Sequence, residues 1–309
     1  MKAVIYTQYG SPEVLQLTEL DKPTPGDQEI LVKVRATTVT SGVVWARAGR
    51  HPDSPLFTLA VRIIFGLTKP KRTILGYELS GTVEAVGREV KRFKAGDRVF
   101  GTTSGLKAGA YAQYVCLPED WQAGVIASMP AAMSFEEAAA LPIGGMTASY
   151  LLRKGNLLPG QKVLVYGASG SVGTFSVQIA KNYYGAEVTG VCSASNHELV
   201  RSLGADQVID YTRENFTLNG EMYDLIFDAV GKLAPSRCKG SLNQTGKFLS
   251  VKSPTCENLE DLLLLKELSA AGKIRSAIDR IYPLEQVAEA HKYVERGHKK
   301  GNVVITVGH

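Results

Sequence analysis

Residues Lys162–Gly173 read KVLVYGASGSVG. The stretch KVLVY has strand character. It ends in a turn of small residues, and TFSVQIAK, which follows, has helical character. Glycine at such a junction lets the backbone turn sharply and lets another group come close. The N-terminus of a helix carries open N–H groups and a partial positive charge, so it holds a phosphate well. Read as Ala168-x-Gly170-x-x-Gly173, the loop has the spacing of a dinucleotide fingerprint with alanine in the first slot. In that reading Gly170 bares the backbone to a pyrophosphate, and Gly173 lets the helix pack closely on the strand.

A second reading competes. Gly167-Ala168-Ser169-Gly170-Ser171 nearly matches the nucleophile elbow G-x-S-x-G, which also joins a strand to a helix. Ser171 stands where the final glycine belongs. The elbow also needs an acid and then a histidine downstream. His291 and His298 lie in a polar helical stretch far from the loop.

The rest of the chain favours the nucleotide. With 309 residues there is room for two domains with real cores. Hydrophobic residues make up 44% and charged residues 21%, a globular composition. The net charge of +5 is mild, and the densest basic groups, Lys69-Pro-Lys71-Arg72 and His298-Lys299-Lys300, read as solvated loops rather than a nucleic-acid surface. No charged segment followed by an apolar core opens the chain, so the expected location is cytoplasmic. The most apolar patch, Leu56–Leu67 (LFTLAVRIIFGL), is too short to span a bilayer and contains Arg62, so no membrane insertion is expected. Cys116, Cys192, Cys238 and Cys256 are widely spaced and form no C-x-x-C pair.

Short strand patterns dominate up to about residue 120: Glu29–Ala36, Gly81–Val86 and Asp97–Phe100. From Ser134 the rhythm changes. Phe135–Leu141 and Gly144–Arg153 read as helices. The strands Val163–Tyr166, Glu187–Cys192, Gln207–Ile209, Leu225–Ala229 and Lys247–Val251 then alternate with helices. Such alternation predicts a parallel sheet. The tail adds strands at Ile278–Tyr282 and Val303–Val307 around a helix at Leu284–Arg296. The glycine loop follows the first strand of the α/β region, where a dinucleotide binds.

An NAD site carries an acid at the end of the second strand, where it binds the ribose 2′-OH. Here that strand ends Gly190-Val191-Cys192-Ser193-Ala194-Ser195-Asn196, with no acid before Glu198. Hydroxyls and amides donate to a 2′-phosphate that an acid would repel, so NADP(H) is favoured. The alternative is that Ser195 and Asn196 only cap the next helix. Tyr211, after the third strand, is placed to close over the same phosphate.

The chain resembles the medium-chain dehydrogenase/reductase superfamily, in its zinc-independent quinone oxidoreductase branch. The resemblance covers essentially the whole chain. It rests on LGYELSGTVEAVG (Leu75–Gly87), FKAGDRVFG (Phe93–Gly101), EEAAALP (Glu136–Pro142), GGMTA (Gly144–Ala148), the loop GASGSVG, LGADQVIDY (Leu203–Tyr211) and PLEQVAEAH (Pro283–His291), in the family's order. It implies an α/β protein with a GroES-like β-barrel catalytic domain at 1–122 and 277–309. A Rossmann domain, a doubly wound parallel sheet, is implied at 123–276. It implies that Thr147 lies near the nicotinamide ribose and that Gly170, Ser171, Val172 and Gly173 hold the pyrophosphate, with Ser169 beside them in the loop. Ser193 and Tyr211, with Asn196, would hold the 2′-phosphate. Ala229, Val230 and Val251 would line the adenosine-to-nicotinamide track. Relatives often carry a basic residue near Ser193, where this chain has Ser195 and Asn196, so the NADP(H) preference is expected to be modest. A homodimer is common in the family.

Zinc-dependent relatives bind a catalytic metal with Cys, His and Cys. Those positions align with Thr40, Tyr77 and a site near Ile143, none of them a zinc-ligand type, and the cysteine-bearing lobe for a structural zinc is missing between Phe100 and Tyr111. No metal site is therefore expected. Hydride transfer from NADPH to a quinone or an activated alkene needs no Lewis acid. It does need a hydrogen-bond donor at the acceptor oxygen, and the hydroxyls of Thr40 and Tyr77 are the candidates. The alternative for Tyr77 is a buried packing residue. Trp45 would shape the acceptor pocket or belong to the core, and Leu56–Leu67 would form an apolar wall at its mouth or a helix packed on the barrel. The substrate implied is a small hydrophobic electrophile, with no nucleic-acid partner. The rival reading is an NADPH-binding regulatory or partner-binding protein with vestigial catalysis.

Overall fold

Glu29–Thr38 (EILVKVRATT) forms the longest strand of the chain and is buried along most of its length. β-Branched residues suit its extended backbone, and strands cover both its edges. In this computed structural model, which describes all residues except 52–53, 104–108 and 121–123 and the side chain of Phe57, contacts divide the chain into two units. One is Met1–Pro142 with Ile278–His309, the other Ile143–Ala277. The change of domain expected between residues 122 and 123 falls outside the described residues, as do 104–108 of the stretch read for a missing zinc lobe.

In the first unit the strands are β1 (Lys2–Ile5), β2 (Gln16–Glu19), β3 (Glu29–Thr38), β4 (Glu78–Val86), β5 (Arg98–Thr102), β6 (Tyr114–Pro118) and β7 (Ile126–Ser128). The second unit holds β8 (Lys162–Tyr166), β9 (Glu187–Cys192), β10 (Gln207–Asp210), β11 (Tyr223–Asp228) and β12 (Leu242–Ser250). The chain end returns to the first unit with β13 (Ile278–Pro283) and β14 (Asn302–Thr306). Among the described residues, the large sheet of the first unit runs β13-β14-β3-β4-β5-β7, with β6 also on β3, and β1 pairs β2 separately. This is the barrel-like, GroES-type half of the molecule.

The second unit has the all-parallel order β10-β9-β8-β11-β12. The chain runs outward from β8 in one direction, then returns to the other side of β8 for β11. The carboxyl ends of β8 and β11 thus flank the point where the order reverses, where α/β sheets bind ligands. Leu164, Val191, Ile209, Phe216, Tyr223, Ile226 and Cys238 form a core cluster beneath it.

Most elements lie within a few residues of the sequence reading, and three differences have a physical cause. The tail helix starts at Val287, not Leu284, because Leu284–Gln286 is a 3₁₀ turn after Pro283, which cannot continue a helix hydrogen-bond ladder. The last parallel strand starts at Leu242 rather than Lys247. Its register on β11 jumps from Tyr223↔Leu242 to Leu225↔Lys247, which hid the strand from a period-two pattern. Lys299 does not stand in a fully solvated loop. Its ammonium donates to Gly301 O, and burial, opposed by Glu78 and Asp279, pushes its pKa down to about 8.

Candidate functional site

The loop after β8 separates the roles of its glycines. Gly167 has φ +80°, a turn that side chains resist. A Cβ on Gly173 would lie 2.1 Å from Gly167 O, so the helix Ser171–Asn182 can approach the turn only with glycine there. A Cβ on Gly170 would meet nothing nearer than 3.5 Å. Packing therefore does not require glycine at 170, and the backbone there is bare. Gly170 is the N-cap of the helix and no side chain caps it, so the first-turn N–H groups and the positive end of the helix dipole suit an anion.

Ser169, Ser193 and Asn196 meet beside this loop. Asn196 Nδ2 donates to Ser169 Oγ (3.1 Å) and to Ser193 Oγ (3.2 Å), and Ser193 Oγ lies 3.3 Å from Ser195 Oγ. Neither Ser193 nor Asn196 caps a helix with its side chain, so helix capping does not account for them. Asn196 is buried and both its donor hydrogens are engaged. Its amide fixes two hydroxyls whose own protons point elsewhere. Asn196 Nδ2 thus ties Ser169 and Ser193 together, while its Oδ1 is buried with no hydrogen-bond partner among the described residues, an arrangement that sequence spacing alone does not reveal.

Tyr211 N donates to Cys192 O across the β9–β10 register, so Tyr211 and Ser193 follow the carboxyl ends of adjacent strands. The Tyr211 ring is half-exposed and lies 6.4 Å from that of Tyr166. The acid nearest by register, Asp210, accepts from the Thr212 N–H and hydroxyl, which hold its carboxyl below the usual range. The Cys192 thiol is buried, and its pKa is pushed up to about 11 by that burial and by Asp210.

The sequence reading missed Asp228. It is fully buried at the end of β11, and its carboxylate accepts from the N–H groups of Val230, Gly231 and Leu233 (3.2, 2.9 and 3.0 Å) and from Ser250 Oγ (3.2 Å). Its carbonyl accepts from Val251 N, while Ala229 N donates to Tyr166 O. The carboxylate therefore sets Val230, Gly231 and Leu233 through their N–H groups, main-chain bonds set Ala229 and Val251, and the signal was an acid closing the apolar run YDLIFD. Thr147 is half-buried on the helix Pro142–Gly155, one turn from Gly144. A Cβ on Gly144 would lie 2.4 Å from Ser171 Oγ, so this helix packs against the loop at that turn.

In the first unit, Thr40 is the N-cap of the helix Ser41–Ala48, its Oγ1 accepting from Val43 N (3.2 Å). The hydroxyl proton remains free to donate. Tyr77 lies close by, since a Cβ on Gly42 would be 3.8 Å from Thr40 Oγ1 and 3.9 Å from Tyr77 Cε2. The Tyr77 ring stacks on Phe65 (6.3 Å, 13°). Its hydroxyl is buried and has no hydrogen-bond partner among the described residues, and burial raises its pKa, so it keeps its proton. Behind it, Glu78 is buried and accepts from Thr38 Oγ1 (2.5 Å). Trp45 is half-buried, with its ring 4.3 Å from that of His51. Among the described residues, no three of His, Cys, Asp or Glu group so as to hold a metal ion. The donor chemistry at Thr40, Tyr77 and Ile143 does not fit zinc.

Comparison with known proteins gives the family. The alcohol dehydrogenase GroES-like domain matches residues 26–130, and the zinc-binding dehydrogenase family matches residues 203–265 and 255–305. A 2-methylene-furan-3-one reductase of Solanum lycopersicum is 33% identical over 326 residues, covering 99% of this chain and 79% of that protein. A chloroplastic NADPH-dependent alkenal/one oxidoreductase of Arabidopsis thaliana is 32% identical, with the same coverage. The structure of the quinone oxidoreductase from Coxiella burnetii superposes with a TM-score of 0.87 at 29% identity, covering 100% of this chain and 99% of that one. The chain belongs to the medium-chain dehydrogenase/reductase superfamily, in its quinone oxidoreductase-like branch, and is an oxidoreductase.

Proposed function

We propose that this protein reduces a quinone or an α,β-unsaturated carbonyl with NADPH and without a metal. The observation that carries the reading is the bare, uncapped Gly170 at the helix N-terminus, beside hydroxyls oriented by Asn196 where an acid would otherwise stand. Relatives named as enone and quinone oxidoreductases favour it over a regulatory role.

The cofactor, when bound, supplies the hydride. The backbone from Gly170 to Gly173 would hold the pyrophosphate. Ser193 and Tyr211 would donate to the 2′-phosphate, with Ser169 and Ser193 held in place by Asn196. Ala229, Val230 and Val251 would line the nucleoside track, with Thr147 near the ribose. Thr40 and Tyr77 would donate to the acceptor oxygen as charge builds on it. Both are proton-bearing. A buried phenol without a partner costs about 1–3 kcal/mol, a cost that an acceptor oxygen placed there removes. No zinc ligand type stands at the positions where relatives bind that metal, so these hydroxyls take over the stabilisation of the oxygen.

Purified protein with NADPH and a panel of quinones and enones, followed by loss of nicotinamide absorbance, tests the reading. Turnover should survive a chelator. In Tyr77→Phe and Thr40→Val, kcat should fall by up to about a hundredfold while the Kd for NADPH stays constant. Tight NADPH binding with no oxidation by any acceptor would transfer the case to the vestigial reading.

A further inference from the structure

The helix Pro55–Phe65 and the turn after it carry an exposed apolar surface. Leu56, Leu59, Ile63, Ile64 and Leu67 are 49–77% exposed. Their spacing of three to four residues places them along one stripe, and Pro55 and Ala60 are exposed with them. Single exposed leucines need no explanation, but a contiguous stripe does.

The stripe is held in place from below. Arg62 donates from Nε to Gly49 O (2.7 Å) and from Nη1 to Leu67 O (3.1 Å), and its guanidinium lies over the Tyr9 ring at 4.2 Å. Tyr9 OH donates to Gly66 O (2.7 Å), and Lys71 N donates to Phe65 O (2.7 Å). Phe65 stacks on Tyr77. These ties fix the polar and aromatic side of the helix to the first unit and leave the apolar side facing out.

Charge identifies what covers it. Between Ser54 and Tyr77 the chain has no Asp or Glu, but it has Arg62, Lys69, Lys71 and Arg72. With Arg62 engaged in the tether, Lys69, Lys71 and Arg72 stand exposed at the end of the stripe and form no ion pair among the described residues. An apolar stripe with a cationic collar matches a surface that is anionic outside and apolar just beneath.

We propose that this helix docks the protein on anionic lipid bilayers. It would lie in the plane of the surface, with the leucine and isoleucine stripe among the upper acyl chains and Lys69, Lys71 and Arg72 among the headgroups. The helix is short and does not cross the bilayer; no helix of the described residues is long and apolar enough to do so.

The test is co-sedimentation of the full chain with vesicles of phosphatidylcholine alone or mixed with phosphatidylglycerol. The protein should pellet with the mixed vesicles at low salt and be released by high salt. Lys71→Glu/Arg72→Glu should weaken binding by about thirtyfold or more, and Leu59→Glu/Ile63→Glu should abolish it. All four side chains are exposed, and unchanged NADPH affinity and thermal midpoint report that both variants are folded. Failure to pellet with mixed vesicles overturns the proposal, as does binding that ignores both variants or that is equal on neutral vesicles. A dimer in solution that Leu59→Glu/Ile63→Glu splits, with vesicle binding unaltered, would assign the stripe to a second copy instead. Free inorganic phosphate should not compete at concentrations that leave ionic strength unchanged. Because nothing here reads turnover, failure of this proposal leaves the proposed reaction untouched.

Discussion

A matched pair of substitutions separates the two glycines of the phosphate loop. Gly170→Ala and Gly173→Ala add the same methyl group three residues apart. At Gly173 the new carbon would sit 2.1 Å from Gly167 O, 2.8 Å from Ala168 Cα and 2.9 Å from its carbonyl carbon, all backbone. Ordinary contact starts near 3.4 Å, so the first turn of the helix must move by more than an ångström. Overpacking of this kind costs about 1–3 kcal/mol, offset by about 1 kcal/mol from better helix propensity. At Gly170 the carbon meets only Gly167 O at 3.5 Å, and φ of −80° suits alanine. The stability cost there is that of a poorer N-cap, about 1 kcal/mol at most. The methyl group does, however, stand over the backbone that the pyrophosphate would touch. Gly170→Ala should therefore keep its thermal midpoint within about 2–4 °C and lose tenfold or more in NADPH affinity by calorimetric titration. Gly173→Ala should be destabilised, with weaker binding following from the displaced helix. If Gly170→Ala binds NADPH as tightly as the parent, the loop is a structural turn and the reasoning fails.

Other substitutions probe the groups around it. Ser193→Asp should reverse an NADPH preference of about ten- to a hundredfold, read from the dissociation constants for NADPH and NADH at one salt concentration; equal affinities in the parent would show that the absent acid misled. Asp228→Ala strips the carboxylate from three N–H groups and should cost about 3–5 kcal/mol in chemical denaturation, whereas Asp228→Asn should fold and bind NADPH less well. His291 is fully buried beside Arg47, with Nε2 3.0 Å from Tyr111 OH, and burial with that guanidinium pushes its pKa down to about 3. The unfolded chain takes up that proton near pH 6.5, so this contribution is whole above pH 6.5 and is lost as pH falls towards 3. The loss is about 2 kcal/mol by pH 5, and the difference between denaturation curves of the parent and His291→Gln across that range should show it; a pH-independent difference would mean the imidazole takes up its proton in the fold as it does in the unfolded chain.

The parallel sheet was legible because its strands are short apolar runs separated by helical periods, and the loop was legible because glycine spacing is a local signal. The phosphate-facing set was legible only as composition. That Ser193 and Asn196 stand near one another follows from adjacency, but that Asn196 spends its amide on Ser169 and Ser193 depends on where the loop after β8 passes, 27 residues away in sequence. Asp228 escaped notice for a related reason. An acid at a strand end reads as a turn residue, and its three N–H partners lie in a segment without pattern. The stripe on Pro55–Phe65 was seen as apolar, but amphipathic patterning does not say which face is covered. Here Arg62 covers the polar side, against the usual sense of an amphipathic helix.

The glycine loop of the second unit and the hydroxyl pair of the first unit are built on different principles. In the second unit, Asn196 Nδ2 holds the Ser169 and Ser193 hydroxyls, its Oδ1 is left unpartnered, and the main chain at Gly170 is bare. Such a site is preorganised, so binding pays little for reorientation. In the first unit, the Tyr77 hydroxyl is left unsatisfied beside Thr40, at positions where relatives place metal ligands. A buried donor without a partner destabilises the free protein, and it interacts best with an oxygen on which charge is growing. In the proposed reaction the stabilising interaction would therefore form at the reacting oxygen rather than in the ground state. In that reaction a quinone or enone carries its own electron deficiency, so two neutral donors would take the part that a metal plays for an alcohol.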